Sequence, residues 1–253
     1  MSRRVIVHPD QAVLAEAAAA RAITALVDAQ SHRSPVHWVL TGGSVGIATL
    51  AAMGRSPVLS AIDWSQVHLW WGDERFLPAG NNERNEVQAH DALIHQLKAD
   101  FGLPTENVHT VPASDSKSIS SVDEAAEHYA QELSAFAEGD SSSDVRTPDF
   151  DLLLLGMGPD IHIASLFPGH EALGVVGSTT TAVRNSPKPP PERVSLTFEA
   201  INHSRRVWIV AGGAEKAEAV SAVIANKPAV EAPAAHVHGQ DETLLLIDTA
   251  SAT

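Results

Sequence analysis

Cysteine is absent from this chain. Its absence excludes disulfides, thiolate nucleophiles and cysteine-ligated zinc or iron–sulfur centres, and leaves the redox compartment unmarked. Cationic charge is scarce too: 17 Lys and Arg stand against 31 Asp and Glu, a formal net charge of -14. Coating nucleic acid or an anionic membrane needs a positive field, so neither partner is expected. A phosphorylated small molecule stays compatible, because a few local Arg or Lys can hold one phosphate whatever the global sign. No apolar run approaches the length that spans a bilayer. The opening residues MSRRVIVHPD lack the apolar stretch of a signal peptide. A soluble cytoplasmic protein is the expectation.

What is present is core material. Hydrophobic residues make up 44% of 253 residues, enough for a large interior and too many for global disorder. Short β-branched or Leu-rich runs recur, and helical patterns follow most of them. Val5–Val7, Val36–Leu40, Val67–Trp71, Phe150–Leu155, Val207–Ala211 and Leu244–Ile247 read as strands. Gln11–Ala29, a stretch through Met53, Glu83–Leu97, Ser121–Ala137 and a segment ending near Ala225 read as helices. Strands alternating with helices, several apolar on both faces, predict an α/β fold with a mostly parallel sheet covered on both sides. Glu138–Pro148 and the stiff, extended Ser186–Pro191 read as surface loops. One domain over residues 1–253 is expected, since the strands on either side of the first loop have the same character.

Four strands end in unusual residues: Thr41–Ser44 (TGGS), Gly72–Arg75 (GDER), Gly156–His162 (GMGPDIH) and Ala211–Lys216 (AGGAEK). The carboxyl ends of parallel strands share one edge of a sheet, and ligands bind there. The four loops therefore converge on one site. Gly42, Gly43 and Ser44 offer backbone N–H groups at a helix start, which suits a phosphate; a tight turn with positive φ is an equal reading. The stretch matches neither a Walker A loop nor the dinucleotide fingerprint. Asp73 and Arg75 read either as a solvated internal pair or as an Arg held ready for an anion. Asp160 and His162 follow glycines at a strand end, and an imidazole titrates near neutral pH, which suits a general base. Ile163–Phe167 reads as a short helix stopped by Pro168-Gly169, with His170 a weaker candidate beyond it. Asp160-x-His162 and His236-x-His238 match no complete metal-ligand spacing, so no metal is expected.

With these residues in view, the sequence resembles the 6-phosphogluconolactonases of the pentose phosphate pathway, of the bacterial DevB type. The matching pieces are Leu40–Ser44, Trp71–Pro78, Leu155–Asp160, His162 with Ala164–Gly169, Arg193–Thr197, Gly213–Ala217 and Pro233–Ala235. They occur in the family's order and cover nearly the whole chain. The resemblance implies a Rossmann-like fold shared with glucosamine-6-phosphate deaminases and ribose-5-phosphate isomerases. It also implies hydrolysis of 6-phospho-D-glucono-1,5-lactone without metal or cofactor. His162 then matches the catalytic histidine and Asp160 its acid, with substrate and phosphate contacts from Gly42, Gly43, Ser44, Asp73, Arg75, Arg193 and Lys216. Two positions depart from the pattern. Ile161 stands where the family has Gly, and is strained if that position needs φ > 0. Arg84 replaces a serine in the run Glu83-Arg84-Asn85 and adds a cation near the mouth. A sugar-phosphate isomerase or deaminase on the same fold is the second reading. A non-catalytic sugar-phosphate sensor is the third, and the lack of a basic helix-turn-helix segment before Val5 argues against it. The oligomeric state is not legible.

Overall fold

The computed structural model describes residues 3–138 and 145–252. Among the described residues, nine strands form two sheets. β1 (Arg4–His8), β2 (Val36–Leu40), β3 (Val67–Trp71), β5 (Phe150–Gly156), β8 (Arg206–Ala211) and β9 (Glu242–Asp248) make a parallel sheet in the order β1-β9-β8-β5-β2-β3. β4 (Asp73–Arg75), β6 (Thr180–Val183) and β7 (Arg193–Leu196) form a small antiparallel sheet in the order β4-β7-β6. The helices are α1 (Gln11–Gln30), α2 (Ser44–Gly54), α3 (Asn85–Ala89), α4 (His95–Asp100), α5 (Val122–Ala135), α6 (Phe198–Asn202) and α7 (Ala217–Ile224). A π turn over His90–Ile94 joins α3 to α4. No helix among the described residues is long and apolar enough to cross a membrane.

Side chains alternate faces along a strand. In β5, Leu152 and Leu154 join the core beneath α1, α2 and the helix ending at Asp100, while Leu153 and Leu155 join the core beneath α5 and α7. Leu244 and Leu246 of β9 follow the first pair, Leu245 and Ile247 the second. A continuous apolar run is therefore what a strand buried on both faces requires. Local signals start the helices: Asp10 caps α1 through Val13 N–H at 2.9 Å, and Ser121 caps α5 through Glu124 N–H at 3.2 Å.

The six long strands fall where the sequence placed them, within two residues at each end. Differences lie in the loops. Asp73–Arg75 is a strand rather than part of a loop, because Arg193–Leu196 pairs with it. Ile163–Phe167 is a tight turn, not a helix: Ala164 has φ 48° and Ile163 bridges both Met157 and Leu166. Ser186–Pro191 folds back on itself, with Ser186 N–H donating to Pro191 O at 3.0 Å and a cis Pro189–Pro190 peptide. The expected loop at Glu138–Pro148 lies partly outside the described residues.

From β2 the chain builds outward to β3, whereas from β5 it builds the other way through β8 and β9. The order therefore reverses between β2 and β5, which opens a crevice at the carboxyl ends of these strands. At the opposite end of the sheet, His37, His68 and His109 pack with Trp70 and Phe136.

Candidate active site

A cleft of about 270 Å³ sits at the switch point. The ends of β2, β5 and β8 supply its floor through Thr41–Gly43, Gly156–Gly158 and Ala211–Gly212, and the small sheet forms a wall with Asp73, Arg75 and Arg193. Of the residues singled out from sequence, Gly42, Gly43, Ser44, Asp73, Arg75, His162, Arg193 and Lys216 line the cleft. Asp160 does not line it.

The acid and the imidazole are paired. His162 Nδ1 lies 2.6 Å from Asp160 Oδ1. A carboxylate only accepts, so Nδ1 carries a proton, and in the neutral imidazole the lone pair then sits on Nε2. The ring rests on Phe167, with centroids 4.5 Å apart. Gly158 lets the ring sit close to the backbone: a Cβ there would collide with both His162 and Asp160. Lys188 Nζ donates to the same Asp160 Oδ1 at 2.8 Å. Burial alone raises the Asp160 pKa, but the hydrogen bonds and charges of His162 and Lys188 outweigh it and hold the carboxyl well below the usual carboxylate range. Asp160 is therefore an anion wherever the protein is folded near neutral pH.

Lys188 is the site residue that sequence reasoning missed. It lies within the proline-rich segment read only as a surface loop. The available signal was a lone cation between prolines, whose fixed φ holds a loop rigid. Arg193 secures that loop. Its Nε donates to Pro190 O at 3.2 Å and its Nη2 to the carbonyls of Lys188 at 3.2 Å and Pro189 at 2.9 Å. The guanidinium lies over Phe167, 5.5 Å from the centroid, and Nη1 stands 4.0 Å from Asp73 Oδ2. Most of its donors are thus spent on protein, and the arginine read as a phosphate ligand is foremost a clamp on the Lys188 loop.

Asp73 is similarly committed. Oδ2 accepts from Ser165 Oγ at 2.6 Å, and the main-chain oxygen accepts from Asn85 Nδ2 at 2.8 Å. Asn85 Oδ1 accepts from Arg75 Nη1 at 2.8 Å, which fixes the arginine at the wall of the cleft. Arg84 turns away. It is fully buried and donates to Leu77 O at 3.1 Å, Val111 O at 2.6 Å and Glu86 Oε1 at 2.9 Å. The expectation of a cation near the mouth is therefore overturned: Arg84 completes a buried network. Its neighbour Glu74 accepts N–H groups of Arg75, Asn85 and Glu86 at 2.7–2.8 Å. Burial pushes the Glu74 carboxyl up to about 7, against the pull of Arg84 and these donors.

On the other side, α2 begins at Ser44 with no side-chain cap, leaving its N-terminal dipole open to the cleft. Gly43, with φ 80°, makes that turn. Lys216 completes the cationic rim; burial lowers its pKa, opposed by Glu215. Two backbone donors at and after the end of β5 are occupied by the protein itself. Gly156 N–H donates to Thr41 Oγ1 at 3.0 Å, and Gly158 N–H to His162 O at 3.1 Å. No group of three or more His, Asp or Glu among the described residues is arranged to hold a metal ion. His170 bonds Arg184 O at 2.8 Å away from the cleft, and His236 bonds Lys227 O at 2.8 Å.

Fold and site together define a class: a doubly wound α/β protein with an acid–histidine pair in a cationic cleft at its switch point. The chain belongs to the glucosamine-6-phosphate isomerase/6-phosphogluconolactonase family, whose model matches residues 9–246. It is 47% identical to a 6-phosphogluconolactonase of Streptomyces coelicolor, over 99% of this chain and 94% of that one. It is 42% identical to a 6-phosphogluconolactonase of Mycobacterium tuberculosis, over 98% and 96%. Among solved structures, the 6-phosphogluconolactonase of Trypanosoma brucei superposes with a TM-score of 0.81 at 27% identity, covering 99% of this chain and 98% of that one. A monomeric glucosamine-6-phosphate deaminase shares the fold, with a TM-score of 0.76 at 18% identity over 98% of each chain.

Proposed function

We propose that this protein hydrolyses 6-phospho-D-glucono-1,5-lactone to 6-phospho-D-gluconate, the lactonase step of the pentose phosphate pathway. One observation carries the mechanism: His162, held at Nδ1 by an anionic Asp160, lines a cleft that also gathers Arg75, Lys188, Arg193, Lys216 and an open helix N-terminus. The full-length relatives support the reaction.

The lactone carbonyl is already electrophilic, so no covalent nucleophile is required. Water attacks C1 while His162 Nε2 takes its proton. Asp160 stabilises the imidazolium that forms and keeps its ring oriented. The oxyanion at C1 faces Lys188, which sits beside the acid–histidine pair, since the glycine N–H groups at 156 and 158 are spent on the protein. Collapse of the tetrahedral intermediate breaks the bond from C1 to the ring oxygen, and the imidazolium returns its proton to that oxygen. The phosphate takes the Gly42–Ser44 turn at the start of α2 with Lys216 and Arg75, and this remote grip orients the reacting end. Arg193 and Asp73 hold the walls in place.

The test uses lactone generated enzymatically from glucose 6-phosphate, with hydrolysis followed above the spontaneous rate. His162→Ala is expected to lose about 10²–10⁴-fold in kcat with KM much less changed. An undiminished rate in that variant would sink the general-base assignment. Glucosamine 6-phosphate and ribose 5-phosphate serve as parallel substrates, and turnover of either in preference to the lactone would replace the reaction itself.

A further inference from the structure

Ile161 stands between Asp160 and His162, and its backbone lies in the left-handed region with φ 68°. For a β-branched side chain this conformation costs about 1–3 kcal/mol, so the surroundings must hold it there. Two kinds of contact do so. Ile161 N–H donates to Gly158 O at 2.9 Å, and its carbonyl accepts from Ala234 N–H at 3.3 Å. Its half-buried side chain packs on Ala222 of α7 and on Ala232 and Ala235 in the segment before β9.

The turn at Ile161 has a direct consequence for the reacting pair. Along a strand, side chains two residues apart share a face at roughly 7 Å separation. The left-handed residue between them instead brings Asp160 Oδ1 within 2.6 Å of His162 Nδ1. Gly158 N–H closes the same loop onto His162 O at 3.1 Å. The whole unit is thus a small hairpin whose tip is fastened to α7 and the 232–235 segment by one aliphatic side chain.

We infer that Ile161 is a positioning residue: its side chain is an apolar peg that locks the Asp160–His162 hairpin against α7 and the segment before β9. It does not line the cleft. Its effect reaches the reaction through the orientation of His162, so the inference rests on His162 being the general base.

Ile161→Gly, Ile161→Ala and Ile161→Val are compared with the parent enzyme and His162→Ala in the lactone assay, with a thermal melt of each. Glycine adopts φ 68° without strain. If only the backbone conformation matters, Ile161→Gly equals or exceeds the parent. If the peg matters, Ile161→Gly and Ile161→Ala lose about tenfold or more in kcat with KM within about twofold, because small misplacements of a reacting group are costly. Ile161→Val, which keeps a β-branched peg, is expected to restore kcat to within about threefold. Parent-like kcat in Ile161→Gly overturns the inference whatever its melting temperature. Should that variant fail to fold, parent-like kcat in the folded Ile161→Ala does the same. Loss in Ile161→Val equal to that in Ile161→Ala also counts against it. Survival of activity in His162→Ala would remove the general-base reading instead, and the two failures are separable.

Discussion

Gly158→Ala tests the geometry of the acid–histidine pair directly. Gly158 does not have positive φ, so alanine suits its backbone. The added methyl, however, would fall well inside contact distance of the His162 ring and of Asp160 Oδ1. Carbon atoms settle about 3.5–4.0 Å apart, so the ring must retreat by more than about 1 Å. Phe167 packs on the ring and Lys188 holds Asp160, so a ring moved by that much is expected to give up its 2.6 Å bond. A displacement of that size is worth about 10²-fold in rate. Overpacking strain of about 1–3 kcal/mol lowers the melting temperature by several degrees at most. The assay is steady-state lactone hydrolysis, read as kcat and KM separately, beside a thermal melt. A folded Gly158→Ala protein with parent-like kcat would refute the placement of His162, because the arrangement seen here does not accommodate both the methyl and the ring.

Two further predictions concern stability. Burial, with help from His68, Arg33 and His109, pushes the His37 imidazole down to about 3, while Asp149 acts weakly the other way. The unfolded chain therefore binds a proton that the folded one refuses, between about 6.5 and 3, and this contribution to stability is lost as pH falls through that window. His37→Leu removes it. At pH 7 the variant is less stable, since Trp70 Nε1 loses its acceptor. The gap to the parent in urea titrations should close by about 2–3 kcal/mol on going to pH 4.5, and a constant gap would show that His37 does not titrate against folding. Arg84→Met is expected to cost about 3–5 kcal/mol, because Glu74 loses a nearby buried cation and four acceptors, Glu86 and the carbonyls of Arg75, Leu77 and Val111, lose their donor. KM of the folded variant should stay near the parent value, and a large rise in KM would place Arg84 in contact with substrate after all.

The sheet was legible because its strands are buried on both faces. Val36–Leu40 and Val67–Trp71 read as apolar runs and form strands with those bounds. The small antiparallel sheet was not legible: Asp73–Arg75 is charged and three residues long, and becomes a strand only through its partner Arg193–Leu196, over a hundred residues away. The turn at Ile163–Phe167 misled for a related reason. Its apolar residues satisfy a helical pattern, but bridges to Met157 and a left-handed Ala164 decide its path.

By itself the sequence determined which loops meet. Parallel strands deliver all their carboxyl ends to one edge, so Gly42–Ser44, Asp73–Arg75, Asp160–His162 and Lys216 were bound to lie at that edge once the strands were recognised. It also determined what the site lacks, since a chain without cysteine offers no thiolate. Only the tertiary structure decided how the charges divide their labour. Arg193 is a clamp because three carbonyls of the proline loop close on it, Lys188 is a site residue because that loop folds back to Asp160, and Arg84 is structural because it points into the core. A side chain's charge is written in the sequence, whereas its direction is set by backbone turns and long-range partners.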